Sequence, residues 1–475
     1  MSDVVQEAIE AGAAGWSSTF AEIHMDVHGN NVPGCFADLE EVLELAKAAS
    51  RGGYAIYECA GAPGVSTNGM KSLEDIGKIM PVTYTLTEAG MAKSLEWLEK
   101  VNGRGSNVIG QIFSRAQGLL LGLGGLIQPL NVRSATYLAM REQPLEQRLA
   151  ALRDPAVRAA IIREYDESEG EGVESVDGDP LTLRVSENFE NMWIMGGGGA
   201  TMTFDYEPLP GESIAALAEA RGVRPQEILL DAMMEDDGLG IVWYPYSHGY
   251  TQRDYDNVRL GIEAADTGLV VLGNADAGAH VAAFTDASCT TFMLTHWARD
   301  RTRGDKLPLE KLVQYNSRDP ARLYGWADRG TLEVGMKADV NVIDMEKLRI
   351  HRPEAVADLP SGATRWIQRC SGYTLTICAG VITIRDNELT GARPGKLIRN
   401  PSTAAKRAAG PTFKADLEKI RSLREAGRGL FDVQAGVDRS GFIAHMPGPI
   451  SQAFYRAERK QKVFEATVSP ASSKL

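Results

Sequence analysis

Short apolar runs alternate along the chain with longer stretches whose apolar residues recur at helical spacing. In "FADLEEVLELAKAAS", Leu39, Val42, Leu43 and Ala46 fall on one stripe, which predicts an amphipathic helix. "YAIYECAG" reads as the strand that follows, "EAGMAKSLEWLEKV" as a helix and "NVIGQIF" as the next strand. Further on, "MWIMGG", "GIVWYP" and "GLVVLG" have strand character, with helices in "SIAALAEARG", "PQEILLDAMMED" and "DYDNVRLGIEAA". The alternation predicts an α/β fold on a parallel sheet, with about five strands before Asp276. The acidic excursion "REYDESEGEGVESVDGDP" reads as a surface loop.

The pattern changes after Arg329. "GTLEVGMKADVNVIDMEKL" and "RWIQRCSGYTLTICAGVITIRDNELTG" hold short β-rich runs separated by Gly and Asp-Asn turn signals, which predicts a small β subdomain. From about Pro401 one helix is expected, within a tail punctuated by Gly, Pro and Ser and richer in basic than acidic residues. The expected division is therefore 1–329, 330–399 and 400–475.

At 475 residues the chain can bury a large core, and a hydrophobic content of 44% is ordinary for a globular protein. A formal net charge of -13 argues against a nucleic-acid surface spread over the molecule. No window reaches the roughly 18 uninterrupted apolar residues of a membrane span, and the first residues carry no secretory pattern. Cys35, Cys59, Cys289, Cys370 and Cys378 are odd in number and lack a CxxC pair. That favours reduced thiols and a cytoplasmic location.

The chemistry concentrates in "GLVVLGNADAGAH". A Val/Leu run of this kind fits a strand buried on both faces, and Asp276 then stands just past its carboxyl end, where ligands bind in α/β sheets. The other reading is a helix cap or an Asx turn. His280 is near enough to line a pocket, and His248, in "WYPYSHGY", also follows a strand. A single histidine is as commonly a hydrogen-bonded structural residue. His296 sits in a predicted helix and reads as packed or capping, and His24 and His28 read as surface groups in a loop rich in Gly and Asn.

Several separated stretches carry a family resemblance. They are "NADAGAHVAAFTDASCTTFMLTHWARD", "LPLEKLVQYNSRDPARLYGWADRGTLEVGMKADVNVID", "GYTLTICAGVITIRDNELTGARPGKLIR" and the opening "AIEAGAAGWSSTFAEIHMDVHGNNVPGCFADLEEVLELAK". Together they resemble the metal-dependent amidohydrolases, most closely the N-acyl-D-amino-acid deacylase (D-aminoacylase) group, over residue 1 to about Arg399. The resemblance implies a partial (β/α) barrel of the metal-dependent hydrolase type with a small C-terminal β subdomain. It also implies a divalent metal, usually zinc in such families, and a small N-acyl or cyclic amide substrate. Asp276 takes the family role of metal-site carboxylate and proton shuttle, and His280 the histidine of the family pattern. His248 would line the pocket, and backbone near "MWIMGGGG" would hold the acyl oxygen, although that Gly-rich run reads equally as a tight turn.

The sequence also departs from that pattern. It has no His-x-His pair, which family members carry at their first barrel strand, and the match implies that the N-terminal third of such an enzyme is missing. Where the group places histidine ligands after its fifth and sixth strands, this chain has Glu58 and Gln111. Glu58 can ligate a cation through oxygen, whereas Gln111 is a poor ligand. The expectation is therefore a hydrolase of non-peptide carbon-nitrogen bonds, completed by a second polypeptide or by homo-oligomerisation that closes the barrel. The alternative is a non-catalytic subunit that uses an incomplete barrel for assembly.

Overall fold

Eight strands precede Asp276 among the described residues: β1 (Gly15–Thr19), β2 (Ile56–Ala60), β3 (Val82–Thr85), β4 (Val108–Ile112), β5 (Gly118–Leu121), β6 (Trp193–Ile194), β7 (Val242–Pro245) and β8 (Val270–Leu272). Five of them form one parallel sheet in the order β1-β2-β3-β4-β8. Parallel neighbours need a crossover. The helices Leu39–Gly52, Thr67–Gly77 and Met91–Gly103 supply the first three, and Gln252–Ala264 leads into β8.

The computed structural model describes residues 1–20, 30–60, 67–86, 90–125, 127–167, 185–186, 188–195, 206–245, 252–273, 275, 281–360, 362–400 and 414–425. The chain groups into two units, Met1–Phe431 and Asp432–Leu475, and the second lies outside the described residues.

The crossover helices pack on one face of the parallel sheet. Tyr57, Cys59, Val82, Tyr84, Val108 and Val270 are buried there with Val42, Leu73, Leu95, Leu98 and Ile262 from the helices. Side chains alternate along a strand. Ile56, Ile109 and Val271 therefore turn to the opposite face, where they cluster with Leu323. On that second face Ser17, level with Glu58 in the register, is exposed. Among the described residues β1 and β8 are the two edges of the sheet, and it does not close on itself.

The remaining three strands leave the βα repeat. β7 pairs antiparallel with both β5 and β6. Val242 and Tyr244 enter a second core with Leu119, Leu121, Tyr137 and Leu230, while Trp243 faces the first. Burial on both sides gives "GIVWYP" the unbroken apolar run of a parallel strand without making it one. The expectation that His248 follows a strand of the parallel sheet is thereby corrected.

Gly118 shows how tightly this inserted layer is seated. A Cβ there would stand 1.9 Å from the Trp243 indole nitrogen, inside van der Waals contact. Gly118→Ala is expected to destabilise the protein by about 1–3 kcal/mol through overpacking. A lowered midpoint in urea unfolding, with an unchanged slope, checks this.

After residue 330, the strands Val340–Ile343, Tyr373–Cys378, Val381–Arg385 and Glu388–Leu389 form an antiparallel sheet. Asp386 and Asn387 turn the last hairpin with φ of 49° and 70°. These are the residue types that tolerate left-handed backbone in a tight turn. The helix Leu417–Glu425 is the one described in the tail. No helix among the described residues is long and apolar enough to cross a membrane.

Candidate functional site

Polar side chains collect on the face of the parallel sheet opposite the crossover helices. Register and alternation put Glu58 of β2, Thr83 of β3 and Gln111 of β4 on it together. Gln111 Nε2 donates to Thr83 Oγ1 at 2.8 Å, which fixes the amide orientation. Burial pushes the Tyr324 phenol up, and the charge of Glu58 adds to the shift, so the carboxylate lies within electrostatic reach of that ring.

The exit of β8 meets the same row. Gly273 N donates to Ile112 O of β4 at 3.2 Å. A Cβ on Gly273 would stand 3.2 Å from Gln111 Oε1. The segment that carries Asp276 therefore begins against the Gln111 amide. Asp276, His280, His248, His24, His28 and the Gly-rich run after Met195 lie outside the described residues.

Among the described residues Glu58 is the one carboxylate in this row, beside hydroxyls and an amide. Zinc is usually held by roughly four nitrogen, sulfur or oxygen donors. Among the described residues no group of three His, Cys, Asp or Glu side chains is placed to hold a metal ion. The described donor set does not fit zinc.

The structure also changes the place of Gln111 in strand order. β3 stands between β2 and β4, so the strand after that of Glu58 ends at Thr85 and Gln111 belongs to the next one. Thr83 and Thr85 are thus the side chains that the sequence reading passed over. Their signal was the β-branched alternation in "VTYT".

Two buried charge clusters stand near the strand exits. Arg115, just past β4, is 1% exposed and pairs with Asp286 at 3.0 Å. Burial opposes its charge, but Cys289, Tyr206 and Asp286 outweigh that and push the guanidinium pKa further up. In the second cluster, Glu207 is 4% exposed and lies 2.9 Å from His296 Nε2, 3.6 Å from Arg301 and 3.9 Å from Arg303. His296 stacks on Phe292 at 4.6 Å between ring centroids, which makes it a packed histidine.

Residues 40–384 match the model of the amidohydrolase family. The chain belongs to that family. No curated protein matches it. Among solved structures it is similar to a D-hydantoinase crystal structure, at 13% identity over 84% of this chain and 71% of that one, with a TM-score of 0.34. A second similar structure is the L-hydantoinase (dihydropyrimidinase) from Arthrobacter aurescens, at 13% identity over 81% and 68%, with a TM-score of 0.30.

None of the site chemistry involves the two most buried thiols. Burial pushes both Cys59 and Cys289 up to about 12. A thiol reacts as its thiolate. At pH near 8 iodoacetamide is therefore expected to leave Cys59 and Cys289 unmodified in the folded protein and to label them after unfolding. Peptide mass spectrometry of both samples checks this.

Proposed function

We propose that the protein hydrolyses a carbon-nitrogen bond other than a peptide bond, in a small N-acyl amino acid or cyclic amide. The sequence motifs resemble those of the D-aminoacylase group. Asp276 acts as general base and then general acid. It takes a proton from the attacking water and returns it to the departing nitrogen, whose poor leaving ability is the main barrier. His280 and His248 line the pocket, and Glu58 supplies a fixed negative charge. The observation that carries this reading is the meeting of Gly273 with Gln111, at the polar row opposite the crossover helices, three residues before Asp276 in the sequence.

The parallel sheet is read as part of a (β/α) barrel. Its two open edges, β1 and β8, are where strands of a second polypeptide would pair. Such a partner would also bring the metal-binding donors that the described face lacks. The competing reading is a non-catalytic subunit that uses an incomplete barrel for assembly.

Amine release from N-acyl-D-amino acids, N-acyl-L-amino acids and cyclic amides separates these readings, together with bound-metal analysis. The chain is assayed alone and after co-expression with its genomic neighbours. Release that disappears in Asp276→Asn supports the enzyme, and release only from a co-purified pair supports the two-chain form. Neither metal nor release in any combination establishes the assembly reading.

A further inference from the structure

The chain that follows the β-rich segment is fastened to both open edges of the parallel sheet, at the same end of the strands. The first anchor is Asn400, 6% exposed at the close of a largely exposed run. Its N–H donates to Gly12 O at 2.8 Å, and its Nδ2 donates to Ala14 O at 3.3 Å and to Tyr54 O at 3.1 Å. Ala14 immediately precedes β1, and Tyr54 lies two positions before β2. One amide therefore ties the entry of the edge strand to the entry of its neighbour. Arg399 Nη1 adds a bond to Ala11 O at 2.6 Å. The approach needs a glycine opposite: Gly12 has φ of 104°, and a Cβ there would stand 2.7 Å from the Arg399 Cβ.

The second anchor is at the entry of β8. Asp416 N donates to Thr267 O at 2.7 Å, and Asp416 Oδ1 accepts from Lys419 N at 2.9 Å, which caps the helix Leu417–Glu425. The helix turns Ile420 into the first core, where it is fully buried. Lys419 Nζ donates to Asp266 O at 3.0 Å. The Asp266 carboxylate is shared, with Oδ1 2.5 Å from Lys311 and Oδ2 3.6 Å from Lys419.

A solvated tail would show neither anchor, because fixing a residue costs about 1–2 kcal/mol of backbone entropy and needs contacts that offset it. The two places held are the two that most need holding. β1 pairs only with β2 and β8 only with β4 among the described residues, and a strand with one neighbour opens more readily than one with two. Four strand spacings separate the edges, about 19 Å along the sheet, and residues 401–413 are long enough to reach roughly twice that. Neither anchor lies at the strand exits, where the β8 connection leaves.

We propose that residues 399–400 and 416–420 are the two ends of a brace, by which the C-terminal part of this chain holds the open edges β1 and β8 against fraying at their entries. The brace is independent of the hydrolase reading and is measurable without activity.

Hydrogen-deuterium exchange on the full-length protein compares wild type with Asn400→Ala, Ile420→Ala and the double variant. Asn400→Ala is expected to speed exchange in residues 15–19 at least about tenfold and to leave residues 270–272 unchanged. Ile420→Ala is expected to do the reverse, and the double variant to release both edges. β3, at the centre of the sheet, should stay at the wild-type rate throughout. Rates within about twofold of wild type at both edges of the double variant would overturn the proposal. Equal acceleration of β3 would overturn it too, since these residues would then support the whole fold and not its edges. If variants carrying Ile420→Ala do not fold, Asp266→Asn replaces that substitution and is judged by the same criteria, because it removes the charge shared by Lys311 and Lys419.

Discussion

Asp276→Asn is expected to slow amide hydrolysis by about 10²–10⁴-fold, the usual contribution of a positioned acid-base group. Asparagine has nearly the same shape as aspartate but cannot accept a proton from water or pass one to nitrogen. The substitution also separates the two readings of this residue. Asparagine caps a helix about as well as aspartate does, so a capping Asp276 would tolerate it with little loss. A rate loss of this size with an unchanged unfolding midpoint identifies a proton-transfer group. An unchanged rate identifies a cap. Steady-state amine release and a denaturant melt on the same preparations make the comparison.

Glu207→Ala is expected to destabilise the fold by about 3–5 kcal/mol, the range for removing one partner of a buried pair. Glu207 and Arg301 are 4% and 1% exposed, and His296 and Arg303 share the same carboxylate. Alanine would leave the Arg301 and Arg303 guanidinium groups without the carboxylate they share. Glu207→Gln keeps the shape and part of the hydrogen bonding, so its loss should be smaller. The ordering wild type, glutamine, alanine in urea midpoint supports this account. Equal midpoints would show that the cluster contributes nothing to stability.

Elements that obeyed a single periodicity were legible from residues alone. The stripe of Leu39, Val42, Leu43 and Ala46 gave the helix Leu39–Gly52, and the apolar runs gave β2, β4 and β8. The parallel-sheet strands that were missed, β1 and β3, are polar on the face opposite the crossover helices: "GWSST" and "VTYT" alternate where an unbroken run was sought. Strands with one apolar and one polar face follow the alternating rule. β7 misled in the opposite direction, because two cores bury both its faces while its pairing is antiparallel.

The candidate site was legible only as single residues. Glu58 and Gln111 were found at strand ends, but their common face and the Thr83 hydroxyl between them depend on a register that spacing does not encode. The charge clusters were invisible for a similar reason. Arg115 and Asp286 are 171 positions apart, and nothing local marks either as buried.

An experimental structure of the protein with a non-hydrolysable amide analogue bound tests the central claim most directly. The account predicts the analogue on the Glu58 and Gln111 side of the sheet. Its carbonyl carbon should lie about 3–3.5 Å from a water that Asp276 contacts. An analogue bound elsewhere, or an Asp276 carboxylate folded back onto a helix start with the ligand out of reach, would contradict it.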